Sequence, residues 1–332
     1  QWATRIGFVL AAAGSAVGLG NIWKFPYIAG VNGGGAFVLI YLAAIALIGF
    51  PIMIAELLLG RATQSSPVMA FSKMAGEESN WKAVGWMGVA TGFIILSSSS
   101  VVAGWSLNYV LMSICDFTCE KSPEQINSMF DTLASSGGIN LFWHSAFMLI
   151  TIGIVIGGVR GGIEKWSKIL MPVLFIILVI LVVRSIFMPG FSKGIMFVFA
   201  PDLSNLTAAG VLEAVGHAFF TLSLGMGAML TYGSYLSKKT DLVRASVVVC
   251  SLDTLIALMA CLIIFPIVFS FGFAPDSGPG LVFKTIPVVF SQITGGSLLA
   301  ILFFLLLTFA ALTSAISLLE VVTSHFIDSL GW

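Results

Sequence analysis

The sequence predicts an all-α integral membrane protein. Three observations carry that reading: 58% of the 332 residues are hydrophobic, only 9% are charged, and the apolar residues gather into runs of membrane-crossing length. A soluble domain carries about 25% charged residues, so the shortfall points to lipid as the solvent and excludes a water-soluble enzyme. Lys plus Arg and Asp plus Glu each total 15, for a formal net charge of zero, which leaves no basic surface for nucleic acid. Cys115, Cys119, Cys250 and Cys261 are too few and too scattered for a disulfide framework. The chain opens Gln1-Trp2 without a methionine and closes at Trp332, so both ends read as cuts within a longer protein, and no cleavable leader is visible.

A helix needs about 20 apolar residues to cross the hydrocarbon core. In chain order the candidate spans are 6–28, 36–57, 84–112, 142–158, 167–187, 210–235, 243–270 and 297–325. The first is interrupted at mid-depth by Gly14, Ser15, Gly18, Gly20 and Asn21, and the sixth by Thr221, Ser223, Gly225 and Gly227. Glycine costs up to about 1 kcal/mol against alanine inside a helix, so such clusters invite a break. Close packing through small residues is the alternative for either span alone, but paired interruptions in corresponding halves point to a transporter with inverted repeats. The third span carries the serine run Ser97 to Ser100, the seventh carries Asp253, and the eighth carries Thr313-Ser314. The longest connections run from Cys115 to Asn140 and from Ser270 to Gly295, the second with Pro275, Pro279 and Pro287.

Orientation follows from Lys and Arg in short loops. Arg160, Lys165 and Lys168 in one connection and Lys238, Lys239 and Arg244 in another mark the cytoplasmic side. The Cys115–Asn140 loop, with Asp116, Glu120, Glu124 and Asp131 against Lys121, then lies outside, and the N-terminus with Arg5 inside. Arg184 and Lys193 fall on the external side as exceptions. Cys115 and Cys119 are close enough for a local disulfide, and two cysteines alone are too few for a metal site.

Three strings carry a family resemblance. Arg5 to Pro26, followed by Asn32-Gly-Gly-Gly-Ala-Phe37, resembles the first span of the neurotransmitter:sodium symporter family; so do Gly216 to Gly225 in span six and Ala310 to Ser314 in span eight. The similarity is ordered, covers essentially the whole chain, and is nearest in style to the bacterial amino-acid transporters of that family. It implies a leucine-transporter-like fold, a five-plus-five inverted repeat with broken helices one and six. Residues 1–190 would form the first repeat and 191–332 an incomplete second one holding spans six to eight and an external loop at 271–296.

The resemblance also implies a site. Unwinding a helix at mid-membrane frees N–H groups for a carboxylate and carbonyls for cations. The helix start at Leu19 and Gly20 would take a substrate carboxylate. Ser15, Ala16, Phe220, Thr221, Ser223 and Ser314 would surround the substrate backbone, and Ile95, Met226 and Leu318 its side chain. One sodium would sit among Ala16, Asn21, Thr221 and Asp253, and a second among Gly14, Val17, Ala310, Thr313 and Ser314. Taken alone, Thr313-Ser314 reads equally as hydroxyls bonded back to their own helix, and Met226 as ordinary packing.

Asp253 is the sharpest residue, because a carboxylate at mid-membrane costs on the order of 2.5–3.5 kcal/mol; placement at a wet helix end is the alternative. Its charge could stand in for the chloride that some family members use, which predicts chloride-independent transport. His217 is either a neutral, satisfied ring or, with Asp253, a proton-titratable pair, and Tyr41 completes that polar cluster. Tyr235 and Asp328 match inner-gate positions and Lys24 an outer-gate cation, and His144 and His325 receive no role. Ser99 stands where the family normally places a tyrosine that caps the substrate, which leaves substrate identity open.

The reading is therefore sodium-coupled uptake of a hydrophobic or aromatic amino acid by alternating access. It needs no organic cofactor and runs across the plasma (inner) membrane by a multi-pass protein of unspecified oligomeric state. Another small zwitterion, such as a non-protein amino acid, is the alternative substrate, and a channel-like protein the alternative class, though no continuous polar lining supports the latter. An intramembrane serine hydrolase lacks a histidine partner for Ser15 or Ser106.

Overall fold

The computed structural model describes residues 1–76, 78–116, 121–202, 204, 206–273 and 280–330. Cys119 and Glu120, like Pro275 and Pro279, lie outside them, and with Cys119 the expected Cys115 disulfide.

Among these residues the secondary structure is helical, with a single isolated bridge between Gly34 and Pro201. In order the helices are α1 Arg5–Ala16, α2 Gly20–Val31, α3 Gly35–Thr63, α4 Pro67–Ala75, α5 Lys82–Ile114, α6 Pro123–Ser135 and α7 Gly137–Ile156. There follow α8 Gly158–Ile186, α9 Phe191–Phe199, α10 Ala208–Thr221, α11 Ala228–Ser234, α12 Leu242–Ser270, α13 Leu281–Ser291 and α14 Gly296–Leu330. Six of them are long and apolar enough to cross a membrane unaided, and α1 with α2 forms a seventh span bent by 48°. The pair α10 and α11 covers the sixth expected span. Short helices α4, α6, α9 and α13 replace what the sequence suggested were plain connections, and α7 begins at Gly137, within the expected external loop.

The local chemistry explains the ends and the breaks. Thr4 caps α1 by accepting the Gly7 N–H at 3.0 Å, and Glu164 of α8 accepts from Ala3 N (2.6 Å), Thr4 N (3.1 Å) and the Thr4 hydroxyl (2.8 Å). At Val17 the backbone leaves the helical region at φ −74°, ψ 98°. A π-helical turn at Gly20–Lys24 leads into Pro26, and another at Ile45–Gly49 leads into Pro51. In both, the proline ring cannot take the ordinary i−4 carbonyl, so the preceding turn widens. Between α10 and α11 the chain needs left-handed backbone at Ser223 (φ 54°), Gly225 (76°) and Gly227 (80°), which glycine adopts without a Cβ penalty.

Helix α14 is the axis of the packing. Of its most apolar window 72% is buried, against 22% for α7, so α14 sits among helices while α7 presents itself to lipid. Helix α1 lies close against α14: a Cβ on Gly14 would stand 3.2 Å from the Thr313 Cβ, and one on Gly18 would stand 3.2 Å from the Ser314 Cβ. Small residues allow this approach, as is usual between helices in lipid, and it brings the break after α1 onto the middle of α14.

Candidate functional site

The two breaks face each other. Ser223, in the interruption after α10, donates to the Ser15 carbonyl at 2.8 Å, and the Ser15 hydroxyl donates to Ser317 of α14 at 2.7 Å. A cavity opens at their junction, lined by all twelve residues expected around a substrate: Ser15, Ala16, Leu19, Gly20, Ile95, Ser99, Phe220, Thr221, Ser223, Met226, Ser314 and Leu318. Gly18 and Ala311 join them, and sequence reasoning missed both. At one wall α2 begins, and its first N–H groups are of the kind that lack intrahelical partners.

Beside the cavity is a buried polar cluster. Asp253 is fully buried; its Oδ1 accepts from Asn21 Nδ2 (2.7 Å) and Thr221 Oγ1 (2.9 Å), and its Oδ2 from the Tyr41 hydroxyl (3.2 Å). The Asn21 Oδ1 accepts the Gly18 N–H at 3.1 Å, which ties the break to the cluster. Among the described residues the ion pairs are Lys168–Glu164 and Lys284–Asp131, so Asp253 has no side-chain cation. An uncompensated buried carboxylate is costly, and the oxygen-rich surroundings suit a hard monovalent ion as cargo.

A second group of oxygens lies where α1 meets α14. The Thr313 hydroxyl is 3.0 Å from the Ala310 carbonyl, 3.1 Å from that of Phe309 and 3.4 Å from that of Val17, so back-bonding to its own helix and contact with the broken one both occur. Gly14 and Ser314 flank it.

Other expected members are placed differently. His217 makes no hydrogen bond to Asp253: among the described residues neither ring nitrogen has a partner. The ring instead stacks on Phe25 at 5.4 Å and lies 5.7 Å from the Tyr41 ring. The Lys24 ammonium sits 4.8 Å over the Phe220 ring. Tyr235 and Asp328 are both held, but not by each other: the Tyr235 hydroxyl donates to Glu320 at 2.6 Å, and Asp328 accepts the Ser66 N–H at 2.5 Å. His144 bonds Ser100 at 3.0 Å and His325 packs edge-on against Trp86 at 4.5 Å. Sequence reasoning also missed Glu56, whose Oε1 accepts the Gly225 N–H at 2.7 Å and so holds the sixth-span break open. An acid inside an apolar span was the available signal for Glu56 and Glu320, the same one that singled out Asp253.

The profile of the family described as SNF, the sodium:neurotransmitter symporter family, matches residues 1–123 and 121–332. The chain belongs to that family. It is 43% identical over 324 residues to an uncharacterized sodium-dependent transporter, YhdH, of Bacillus subtilis, covering 98% of this chain and 72% of that one. A second uncharacterized sodium-dependent transporter, from Haemophilus influenzae, is 36% identical, covering 99% of this chain and 74% of the other. The crystal structure of MhsT in complex with L-phenylalanine superposes with a TM-score of 0.93 at 48% identity, over 100% of this chain and 75% of MhsT. The symporter family is a transporter family rather than an enzyme class, and its broken-helix membrane fold is the one described above.

Proposed function

We propose that this symporter couples inward sodium movement to uptake of an amino acid, hydrophobic or aromatic by preference, through alternating access. The observation that carries the proposal is Thr221, which lines the central cavity and also donates to the uncompensated Asp253 carboxylate. Substrate and ion would meet through one side chain, so each would favour the other's binding. The substrate carboxylate would lie at the start of α2, its amine near the Ser15 and Ser223 backbone, and its side chain against Met226 and Leu318. A first sodium would use Asn21, Thr221, Asp253 and the Ala16 carbonyl; a second would use Thr313, Ser314 and the carbonyls of Gly14, Val17 and Ala310. Tyr41 and His217 complete the wall of the first site, and Lys24, Tyr235 and Asp328 act at the gates. Asp253 brings its own negative charge, so transport proceeds without chloride. MhsT, nearly half identical, binds L-phenylalanine, which supports an aromatic or large apolar substrate here. The multi-pass protein would reside in the plasma membrane with a cytoplasmic N-terminus and a first repeat over residues 1–190.

The test is a thermal-shift screen of the full-length protein against the twenty amino acids in Na⁺ and in K⁺. A ligand that binds only the folded state raises Tm by mass action. The reading requires a stabilising amino acid in Na⁺ that is silent in K⁺, with uptake that survives replacement of chloride by gluconate. Equal shifts in both cations defeat it.

A further inference from the structure

Met226 lines the central cavity, while its neighbours Gly225 and Gly227 turn away from it, to the side on which Pro67 lies. The backbone on either side of Met226 is left-handed, with φ 76° and 80° at the two glycines. No regular helix therefore fixes where this wall of the cavity stands. Methionine is itself a flexible side chain, so whatever places the wall comes from outside the segment.

Pro67, the first residue of the cytoplasmic-side helix α4, stands directly behind Gly227. A Cβ on Gly227 would lie 2.8 Å from the Pro67 Cγ, 3.5 Å from its Cβ and 3.1 Å from Val321 Cγ1 of α14. Pro67 is anchored from three directions. Before it, Gln64 Nε2 donates to the Leu236 carbonyl at 2.9 Å, just beyond the end of α11. The Ser66 N–H donates to Asp328 of α14 at 2.5 Å. On its far side α4 crosses α5 with backbones in contact, since a Cβ on Gly85 would stand 2.5 Å from the Val68 Cα and 2.8 Å from the Pro67 carbonyl oxygen. A proline in the first helical position has its φ fixed and no N–H to satisfy, so its ring is a stop with no rotamer to yield.

Resting on the amino-acid reading above, we propose that Pro67 is a positioning residue for substrate selection. It lies outside the central cavity, but its ring blocks Gly227 from behind and so sets how far Met226 reaches inward. The side-chain size the site accepts is then governed by a helix that never meets the substrate. Trimming the ring lets Gly227 recede and Met226 with it, so a small substrate loses its wall while a bulky one keeps its contacts. A Cβ on Gly227 works in the opposite sense: it presses against a ring that cannot move and drives Met226 into the cavity.

The experiment measures Kd for L-valine and L-phenylalanine in Na⁺ on the full-length protein. The variants are Pro67→Ala, Gly227→Ala, the two combined, and Met74→Gly, which loosens the exposed end of α4 away from Gly227. Pro67→Ala should raise the valine-to-phenylalanine Kd ratio about fivefold, somewhat under the tenfold or more that a whole methylene commands in an apolar pocket. Gly227→Ala should lower that ratio, and the combined variant should return it to near its starting value, because the new Cβ fills the space the ring vacates. Met74→Gly should lower Tm and leave the ratio alone. Melting of the unliganded protein gives a check that needs no ligand: residues in contact are non-additive, so Gly227→Ala should cost less Tm when Pro67 is already alanine. Additive Tm changes overturn the proposal, and so does equal weakening of both amino acids in Pro67→Ala, or a Met74→Gly shift in the ratio as large as that of Pro67→Ala. Sodium-dependent binding with an unmoved ratio defeats the role of Pro67 and leaves the uptake reading standing. Failure of the unaltered protein to bind any of the twenty amino acids in Na⁺ strikes that reading, and substrate selection by Pro67 falls with it.

Discussion

At the scale of single residues, Asp253 carries the most consequence. Three neutral donors converge on its carboxylate, and neutral donors alone do not cancel a buried charge. On the proposed sodium role, Asp253→Asn keeps the shape and removes the charge, so the sodium concentration for half-maximal binding should rise at least roughly ten- to hundredfold, the loss that disturbing the outer partners of a metal's ligands already produces; sodium titration of radioligand binding reads it. His217 supports the opposite expectation. Its ring is held by stacking on Phe25 and makes no hydrogen bond to the acid, so His217→Gln should leave proton flux unchanged when internal pH is followed in loaded vesicles during uptake. A lost flux would restore the titratable pair. Asp253 was legible in the sequence because an acid in an apolar run is rare. The orientation of the His217 ring was not, since it depends on aromatic neighbours from α2 and α3.

At the scale of elements, the spans were legible because each must carry its own run of apolar residues through the bilayer. The breaks at Gly18 and Gly225 were legible because glycine gathers where backbone must leave the helix. Helices α4, α6, α9 and α13 were not, since short helices beside the bundle need no continuous apolar run and announce themselves mainly by caps, such as Ser122 before α6. The two glycines of the second break should respond differently to alanine. At Gly225 a Cβ meets nothing within 4 Å, so only the left-handed backbone is penalised, by about 1 kcal/mol. At Gly227 a Cβ would also stand 2.8 Å from Pro67 and 3.1 Å from Val321, adding roughly 1–3 kcal/mol of overpacking. Melting in detergent should therefore place Gly227→Ala clearly below Gly225→Ala. Glu164 makes a third case: it takes three donors at the start of α1, and hydrogen bonds to a charged group are worth about 1.5–3 kcal/mol. Glu164→Ala should speed hydrogen exchange at the amides of residues 3–8 by roughly tenfold or more, with the interior of α14 unaffected.

At the scale of the whole molecule, charge placement predicts how the protein lies in the bilayer. Lysine and arginine gather over Arg160–Lys168, in the first turns of α8, and over Lys238–Arg244, which leads into α12, and the positive-inside rule assigns both helix starts to the cytoplasm. A cysteine placed at the exposed Glu124 of α6 should react with an impermeant maleimide on intact cells, and one at Lys239 only after permeabilisation; the reverse pattern would invert the topology. The same scale reveals a dependence between the interruptions. The Ser223 side chain, at a left-handed residue, satisfies the Ser15 carbonyl, while Glu56 anchors the neighbouring Gly225 amide. Straightening either rod would orphan a polar atom on its counterpart, the Ser15 carbonyl or the Ser223 hydroxyl. The pair is thus thermodynamically conjoined, and a lesion introduced in one should register in the conformation of the other.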